Sequence, residues 1–255
     1  MYTMSGRIRY SETDRSGKLP VPGILDYFQD CSVFQSEELG LGVKYLAERH
    51  RAWVLNSWQL EIVRLPVECE AVTVETWASG FDKFHGTRNF TMKDQDGKFL
   101  AYANSLWVYM DLETGRPAKP SEEEIQKYHA ETPLEMEYQS RKIRTPKEWE
   151  EREPVRVKRD WIDSNHHVNN SYYVKAAYNE LPEDVSVKRL RVEYRRQALY
   201  GDVLYPKTAR EDSRIMVALC DQKGRPYAVT EFLTQEKSAE SENTAGGKAR
   251  WKQEK

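Results

Sequence analysis

Asp163, Asn165 and His167 place a carboxylate, an amide and an imidazole at alternate positions within the segment Trp161 to Tyr173. From an extended backbone, residues two apart project to the same side, so the three side chains face one point. An amide and an imidazole there can hold a carbonyl and stabilise an oxyanion, with His167 as donor or proton carrier and Asp163 orienting both. The segment precedes a predicted helix, whose free amide N–H groups and positive dipole end favour developing negative charge. A plainer reading of the same residues is that Asn169 or Asn170 caps the helix and the others decorate a loop. His50, His85 and His129 form no ligand spacing with His166 and His167, which leaves no pattern for a metal.

Two helices and two sets of strands must position this cluster. Apolar residues Ile24, Tyr27, Phe28, Cys31 and Phe34 follow helical spacing after Pro20-Val21-Pro22, predicting a helix over roughly 22–39, with Gly40 and Gly42 as a stop. Strands are predicted at Arg51–Ile62, Ala71–Ala78, Thr87–Lys93 and Phe99–Met110, with Asp94-Gln95-Asp96-Gly97 as a hairpin turn. Ser121-Glu122-Glu123-Glu124 starts a short helix that ends near Tyr128. Thr145-Pro146-Lys147-Glu148-Trp149 reads as another, inside a polar linker. The second helix runs from Asn170 to Glu180, stopped by Leu181-Pro182, and strands follow near 188–195, 203–208, 215–220 and 227–234.

The order helix, strand, strand, hairpin occurs twice. Met92 to Lys98 matches Leu219 to Arg225 at a spacing of 127, Glu61 answers Glu193 at 132, and Asp14 answers Asp163 at 149. Spacings that drift while element order persists indicate two copies of one helix-plus-sheet unit. The class is α+β, not alternating βαβ. The expected division is 1–128, a linker at 129–152, a second unit at 153–235 and a disordered polar tail at 236–255.

Composition removes several classes of function. The chain has 255 residues, 39 basic against 41 acidic, and three cysteines. Nearly cancelling charge and no basic-aromatic platform argue against nucleic-acid binding. Mean hydropathy is -0.82, and no run approaches the ~20 apolar residues of a spanning helix, so no stable membrane insertion is expected. Met1 to Arg7 lacks the apolar core of a signal peptide, so the mature chain is expected to begin here. Few, scattered cysteines fit a reducing, cytoplasmic setting.

Asp163-Ser164-Asn165-His166-His167-Val168-Asn169-Asn170, followed by Tyr173, resembles the active-site signature of the acyl-acyl carrier protein thioesterases. Trp53-Val54, Val74 to Gly80, Ala103 to Val108 and Glu193 to Arg196 are similar as well, so the resemblance runs from roughly 5 to 235. It implies two tandem hotdog units, each a long helix wrapped by a curved antiparallel sheet, and hydrolysis of fatty acyl-carrier thioesters without a cofactor. Carried over by motif, Asn165 and His167 would polarise the thioester carbonyl, with Asp163 in support. The first unit has Arg15-Ser16-Gly17-Lys18 after Asp14, lacks that chemistry, and is expected to bind the acyl chain. Trp53, Trp58, Trp77 and Trp107 are candidates for the channel wall, each of them also a candidate for ordinary core.

One departure bears on mechanism. After Tyr194-Arg195-Arg196, where plant members of the family place Glu-Cys, this chain has Gln197-Ala198. Gln197 can position a water but cannot deprotonate it, and Ala198 cannot be a nucleophile. Either His167 serves as base with Gln197 orienting the water, or Asp163 accepts the proton. An acyl-CoA thioesterase and a non-catalytic acyl- or lipid-binding module are the alternatives. The expected partner is acyl carrier protein bearing acyl-phosphopantetheine, with the chain itself a monomer or homodimer. Basic stretches at 188–196 and 141–159 could each steer that acidic partner, or be ordinary solvated faces.

Overall fold

The computed structural model describes residues 1–183 and 185–236; the expected tail lies, apart from Glu236, outside them. The chain opens with strand β1 (Tyr2–Arg7) and then helix α1 (Val21–Glu38), whose second residue is Pro22. A proline there fits a position whose N–H has no helical partner. Ile24, Leu25, Phe28, Cys31 and Gln35 are buried along one stripe of α1; of the apolar positions read from the sequence, Tyr27 is half-buried and Phe34 is exposed. A one-turn helix α2 (Val43–Ala47) precedes strands β2 (Arg51–Ile62), β3 (Ala71–Asp82), β4 (His85–Lys93) and β5 (Phe99–Asp111). After the two-residue β6 (Arg116–Pro117) comes α3 (Glu122–Tyr128), opened by a capping box in which Ser121 and Glu124 serve each other's backbone N–H groups. Short strands β7 (Glu150–Glu151) and β8 (Val155–Arg156) lead to α4 (Asn170–Tyr178) and to β9 (Val185–Tyr194), β10 (Val203–Glu211), β11 (Arg214–Cys220) and β12 (Pro226–Glu236).

Among the described residues one antiparallel sheet runs β1-β3-β4-β5-β2-β9-β12-β11-β10-β7. Read outward from the β2–β9 seam, both halves have the same order. Across the seam Gln59 faces Arg191, with Ser57 opposite Glu193 and Glu61 opposite Arg189. Gln59 and Arg191 are 132 residues apart, the spacing that relates Glu61 to Glu193, so a pseudo-twofold axis passes through that pair. The helices obey it too: Lys175 on α4 pairs with Asp26 on α1 at 2.9 Å, and these are 149 apart, as are Asp14 and Asp163. One apolar core runs through both halves, from Ile8 and Phe28 to Leu190 and Phe232.

The segment after α3 departs from its sequence reading. Thr145 to Trp149 forms no helix. Four residues starting with Pro146 gain too few helical hydrogen bonds to offset nucleation, and Trp149 instead packs on a small cluster of Ile143, Ala218, Cys220 and Val229. Residues 131–143 cross the outer face of the sheet as an extended strap. Polar side chains from β4, β2 and β9 fix it. Asn89 Oδ1 accepts the Leu134 N–H at 3.1 Å, Gln59 accepts the Gln139 N–H at 2.8 Å, and Glu193 accepts the Ile143 N–H at 3.0 Å. Arg191 donates to the carbonyls of Ser140 and Lys142.

Candidate functional site

The approach to α4 is a tight turn held by its own first residue. Asp163 Oδ1 accepts the Asn165 N–H at 2.8 Å, the Asp163 N–H donates to His167 O at 3.0 Å, and the His166 N–H donates to Asp163 O at 3.0 Å. His166 closes the turn with φ +64°. Asp14 makes the same turn in the first half: its Oδ1 accepts the Ser16 N–H at 2.8 Å, and Gly17 has φ +70°. Asp94 and Asp221 repeat it at the two matching hairpins, with Gly97 and Gly224 at φ +76°. In all four the aspartate is the turn former, a direct result of its short acceptor side chain. The left-handed position is glycine in three of them and His166 in the fourth.

Asn169 then caps α4, its Oδ1 accepting the Ser171 N–H at 3.0 Å. Thus Asn169 is the cap, as the plain reading has it. Asp163, Asn165, His167 and Gln197 all line one cavity of about 870 Å³. His166, next in the chain, is exposed and does not line it. Nδ1 of His167 is buried and has no hydrogen-bond partner among the described residues.

Gln197 reaches this cavity because two tyrosines tie its loop to α4. Tyr173 OH accepts the Ala198 N–H at 2.7 Å, and Tyr194 OH donates to Asn170 O at 3.0 Å. Burial pushes the Tyr173 hydroxyl up to about 12, so it remains protonated at neutral pH. The Val168 N–H donates to Ala198 O at 3.0 Å, as the Leu19 N–H donates to Pro66 O at 2.9 Å in the first half.

From the turn the cavity continues into the first half, walled by Val33, Leu46, Val54, Leu55, Trp53 and Trp107. Of the four tryptophans proposed for this wall, Trp58 and Trp77 are not on it. Trp58 packs against Phe90 with ring centroids 4.8 Å apart, and Trp77 donates to Thr132 O at 3.0 Å under the strap. Gly86 makes room for Trp53, since a Cβ there would stand 3.1 Å from the indole. The sequence reading missed the cavity's polar wall: Ser32, Ser36, Arg88 and Tyr128. Only burial distinguishes these residues, and burial of Arg88 has no signature in one sequence.

The two basic stretches differ. Arg189, Arg191, Arg195 and Arg196 each pair with an acid, respectively Glu61, Glu231, Glu193 and Asp221. They stitch the sheet and strap together and leave little positive charge unpaired. In the other stretch Arg152 and Arg156 are engaged. Lys142, Arg144, Lys147, Lys158 and Arg159 make no ion pair among the described residues. No group of three or more metal-ligating side chains is assembled among the described residues, and no helix there is long and apolar enough to cross a membrane.

Comparison with known proteins agrees with this architecture. Residues 1–128 match the family model of the acyl-ACP thioesterase N-terminal domain, and residues 144–252 that of the C-terminal domain. A solved acyl-ACP thioesterase from Bacteroides thetaiotaomicron superimposes with a TM-score of 0.83 at 24% identity, covering 91% of this chain and 97% of that one. The 12:0-ACP thioesterase from Umbellularia californica gives 0.79 at 20% identity, covering 92% and 97%. At these identities the likeness concerns the fold, the double hotdog. Palmitoyl-acyl carrier protein thioesterase, chloroplastic, from Cuphea hookeriana is 30% identical over 225 residues, 81% of this chain and 54% of the relative. The acyl-[acyl-carrier-protein] hydrolase FATB3, chloroplastic, of Cuphea viscosissima is 26% identical over 229 residues, 84% of this chain and 56% of the relative. The chain therefore spans about half the length of the curated relatives it matches.

Proposed function

Since the chain belongs to the acyl-ACP thioesterase family, we propose that it hydrolyses the thioester joining a fatty acyl group to the phosphopantetheine arm of an acyl carrier protein. One observation carries the reading: the Asp163–His167 turn and Gln197 open on a cavity whose further wall is largely apolar. A polar mouth matches a thioester and an apolar interior matches an acyl chain.

In this reading the side-chain amide of Asn165 donates to the thioester carbonyl and stabilises the oxyanion; one such donor is worth about 10²–10³ in rate. Gln197 holds the attacking water, and His167 takes its proton. The unpartnered Nδ1 of His167 supports that role, because a buried ring nitrogen without a partner is costly unless something arrives to occupy it. The water oxygen bonds to the carbonyl carbon, the C–S bond breaks, and imidazolium returns the proton to the departing thiolate. A thiol has a pKa of about 8.5, so the leaving group is good and a glutamate at position 197 is dispensable. Asp163 acts through the turn that aims Asn165 and His167.

The proposed division follows the repeat: 1–128 binds and scaffolds the acyl chain, 129–152 is the linker, and 153–235 supplies the chemistry. The carrier docks at the cavity mouth, steered by the basic stretch at 141–159, in which Lys158 and Arg159 make no ion pair among the described residues. The chain acts as a monomer or homodimer, needs no cofactor, and resides in the cytoplasm. Its three free cysteines, two of them buried, suit that reducing compartment.

The test is to offer one acyl group on acyl carrier protein and on coenzyme A to the wild type and to Gln197→Glu. A higher kcat/KM on the carrier by the wild type is the expected result. Faster turnover of the coenzyme A ester would identify the other carrier. No wild-type hydrolysis above background, with activity gained by Gln197→Glu, would mean a binding module instead.

A further inference from the structure

Arg88 points inward from β4, is only 7% exposed, and lines the cavity. Its Nη1 donates to Gln35 Oε1 and, at 3.2 Å, to Thr76 Oγ1, and its guanidinium lies 5.6 Å from the centre of the Tyr128 ring. No carboxylate pairs with it among the described residues, whereas the half-buried Arg189 and Arg191 each have one. Burying a cation without a counter-charge is costly, and cation–π contact with Tyr128 offsets only part of that. Nε and Nη2 have no hydrogen-bond acceptor among the described residues, yet neither is one of the fully buried unpartnered atoms. They therefore face the cavity. Ser36 Oγ and Tyr128 OH, 3.2 Å apart, sit on the same wall.

The wall lies well beyond the turn. The pseudo-twofold makes α1 and α4 run in opposite directions past the Asp26–Lys175 pair. Asn170, five residues before Lys175, is thus level with the residue five after Asp26. Ser36 stands five residues further still, about 7–8 Å along the helix at 1.5 Å per residue. An alkyl chain running there would meet a desolvated guanidinium that it cannot satisfy.

We propose that Arg88, with Ser36 and Tyr128, forms a subsite for an oxygen function carried by the acyl chain at a distance from the thioester, a carboxylate foremost and a hydroxyl next. A carboxylate can accept two guanidinium donors at once, which gives both charge compensation and direction. The proposal rests on the hydrolase reading for the position of the thioester.

Two measurements separate it from that reading. In the first, wild type, Arg88→Met and Ser36→Ala hydrolyse carrier loaded with a plain acyl group or with one of equal length ending in a carboxylate. The wild type should favour the carboxylated chain by about tenfold or more, the range for a hydrogen bond to a charged group. Arg88→Met should lose that preference, its rates on the two chains becoming equal, and Ser36→Ala should reduce it. In the second, calorimetry compares binding of the monomethyl ester of a medium-chain dicarboxylic acid with the methyl ester of the matching fatty acid. Tighter wild-type binding of the free-carboxylate probe supports the subsite even if nothing is hydrolysed. Hydrolysis of plain chains with no preference, or equal binding of the two esters, would overturn the subsite and leave the hydrolase standing.

Discussion

Asp14 and Asp163 do the same structural work in the two halves, each accepting at 2.8 Å the amide N–H of the residue two further on. What differs is what each turn presents: Ser16 and Lys18 in one, Asn165 and His167 in the other. In the proposed mechanism this shared backbone device carries chemistry in one copy and none in the other.

Removing either carboxylate should cost similar stability and very different activity. Asp14→Ala and Asp163→Ala should each lower stability by about 1 kcal/mol, the worth of a turn hydrogen bond. Asp163→Ala should also cut kcat by more than tenfold, while Asp163→Asn, which retains the Oδ1 acceptor, should restore most of it. Asp14→Ala should leave kcat unchanged. Chemical denaturation together with steady-state kinetics on the four proteins checks this. An Asp163→Asn variant as impaired as Asp163→Ala would instead make the carboxylate itself the base.

His166 holds a left-handed backbone, φ +64°, where the three sister turns have glycine. A side chain in that conformation costs about 1 kcal/mol or more. His166→Gly should therefore raise the unfolding free energy by about 0.5–1 kcal/mol after the extra chain entropy of glycine, with kcat retained because the ring does not line the cavity. Thermal unfolding and a rate assay read both effects. A large drop in kcat would give His166 a chemical role.

The hairpin-tip aspartates tie stability to acid. Burial acts to raise the Asp221 carboxyl, but the Arg225 and Lys223 amides and the Arg225 guanidinium outweigh it and hold it at about 2. At Asp94, led by the Lys98 amide, the shift is also downward. An unfolded aspartate titrates at about 3.9, so the unfolded chain takes up protons first. The stabilisation is complete above about pH 4 and is lost as pH falls through about 2. The double variant Asp94→Asn/Asp221→Asn should show a flatter fall of Tm over that window than the wild type, and an unchanged slope would contradict the assignment.

The sequence was informative wherever structure is local. The turn at Asp94, its match at Asp221 and the cap at Asn169 are decided by residues within a few positions of one another and could be read directly, whereas the segment at Asp163, read as extended, folds as a turn. Features built from distant partners could not be read. Gln59 meets Gln139, and Asn89 meets Leu134, only after folding, so the strap looked like a linker with a helix. β1 was missed because Tyr2 and Met4 give too short an alternation. In β2 the irregularity between Leu55 and Ser57 lets Trp53 and Trp58 both face inward although they are an odd number of residues apart. A strict alternation forbids that. Within the site, Asn165, His167 and Gln197 were legible by type and motif, whereas Arg88 and Ser36 gained meaning only from the cavity they share.

Hydrolysis of acyl carrier thioester by wild type and His167→Ala, measured as free fatty acid released under saturating substrate, addresses the central claim most directly. The wild type should turn over, and His167→Ala should fall by about 10²–10⁴ in kcat, the usual contribution of a general acid–base group, with KM little changed. A His167→Ala protein within a few-fold of the wild type would contradict the account.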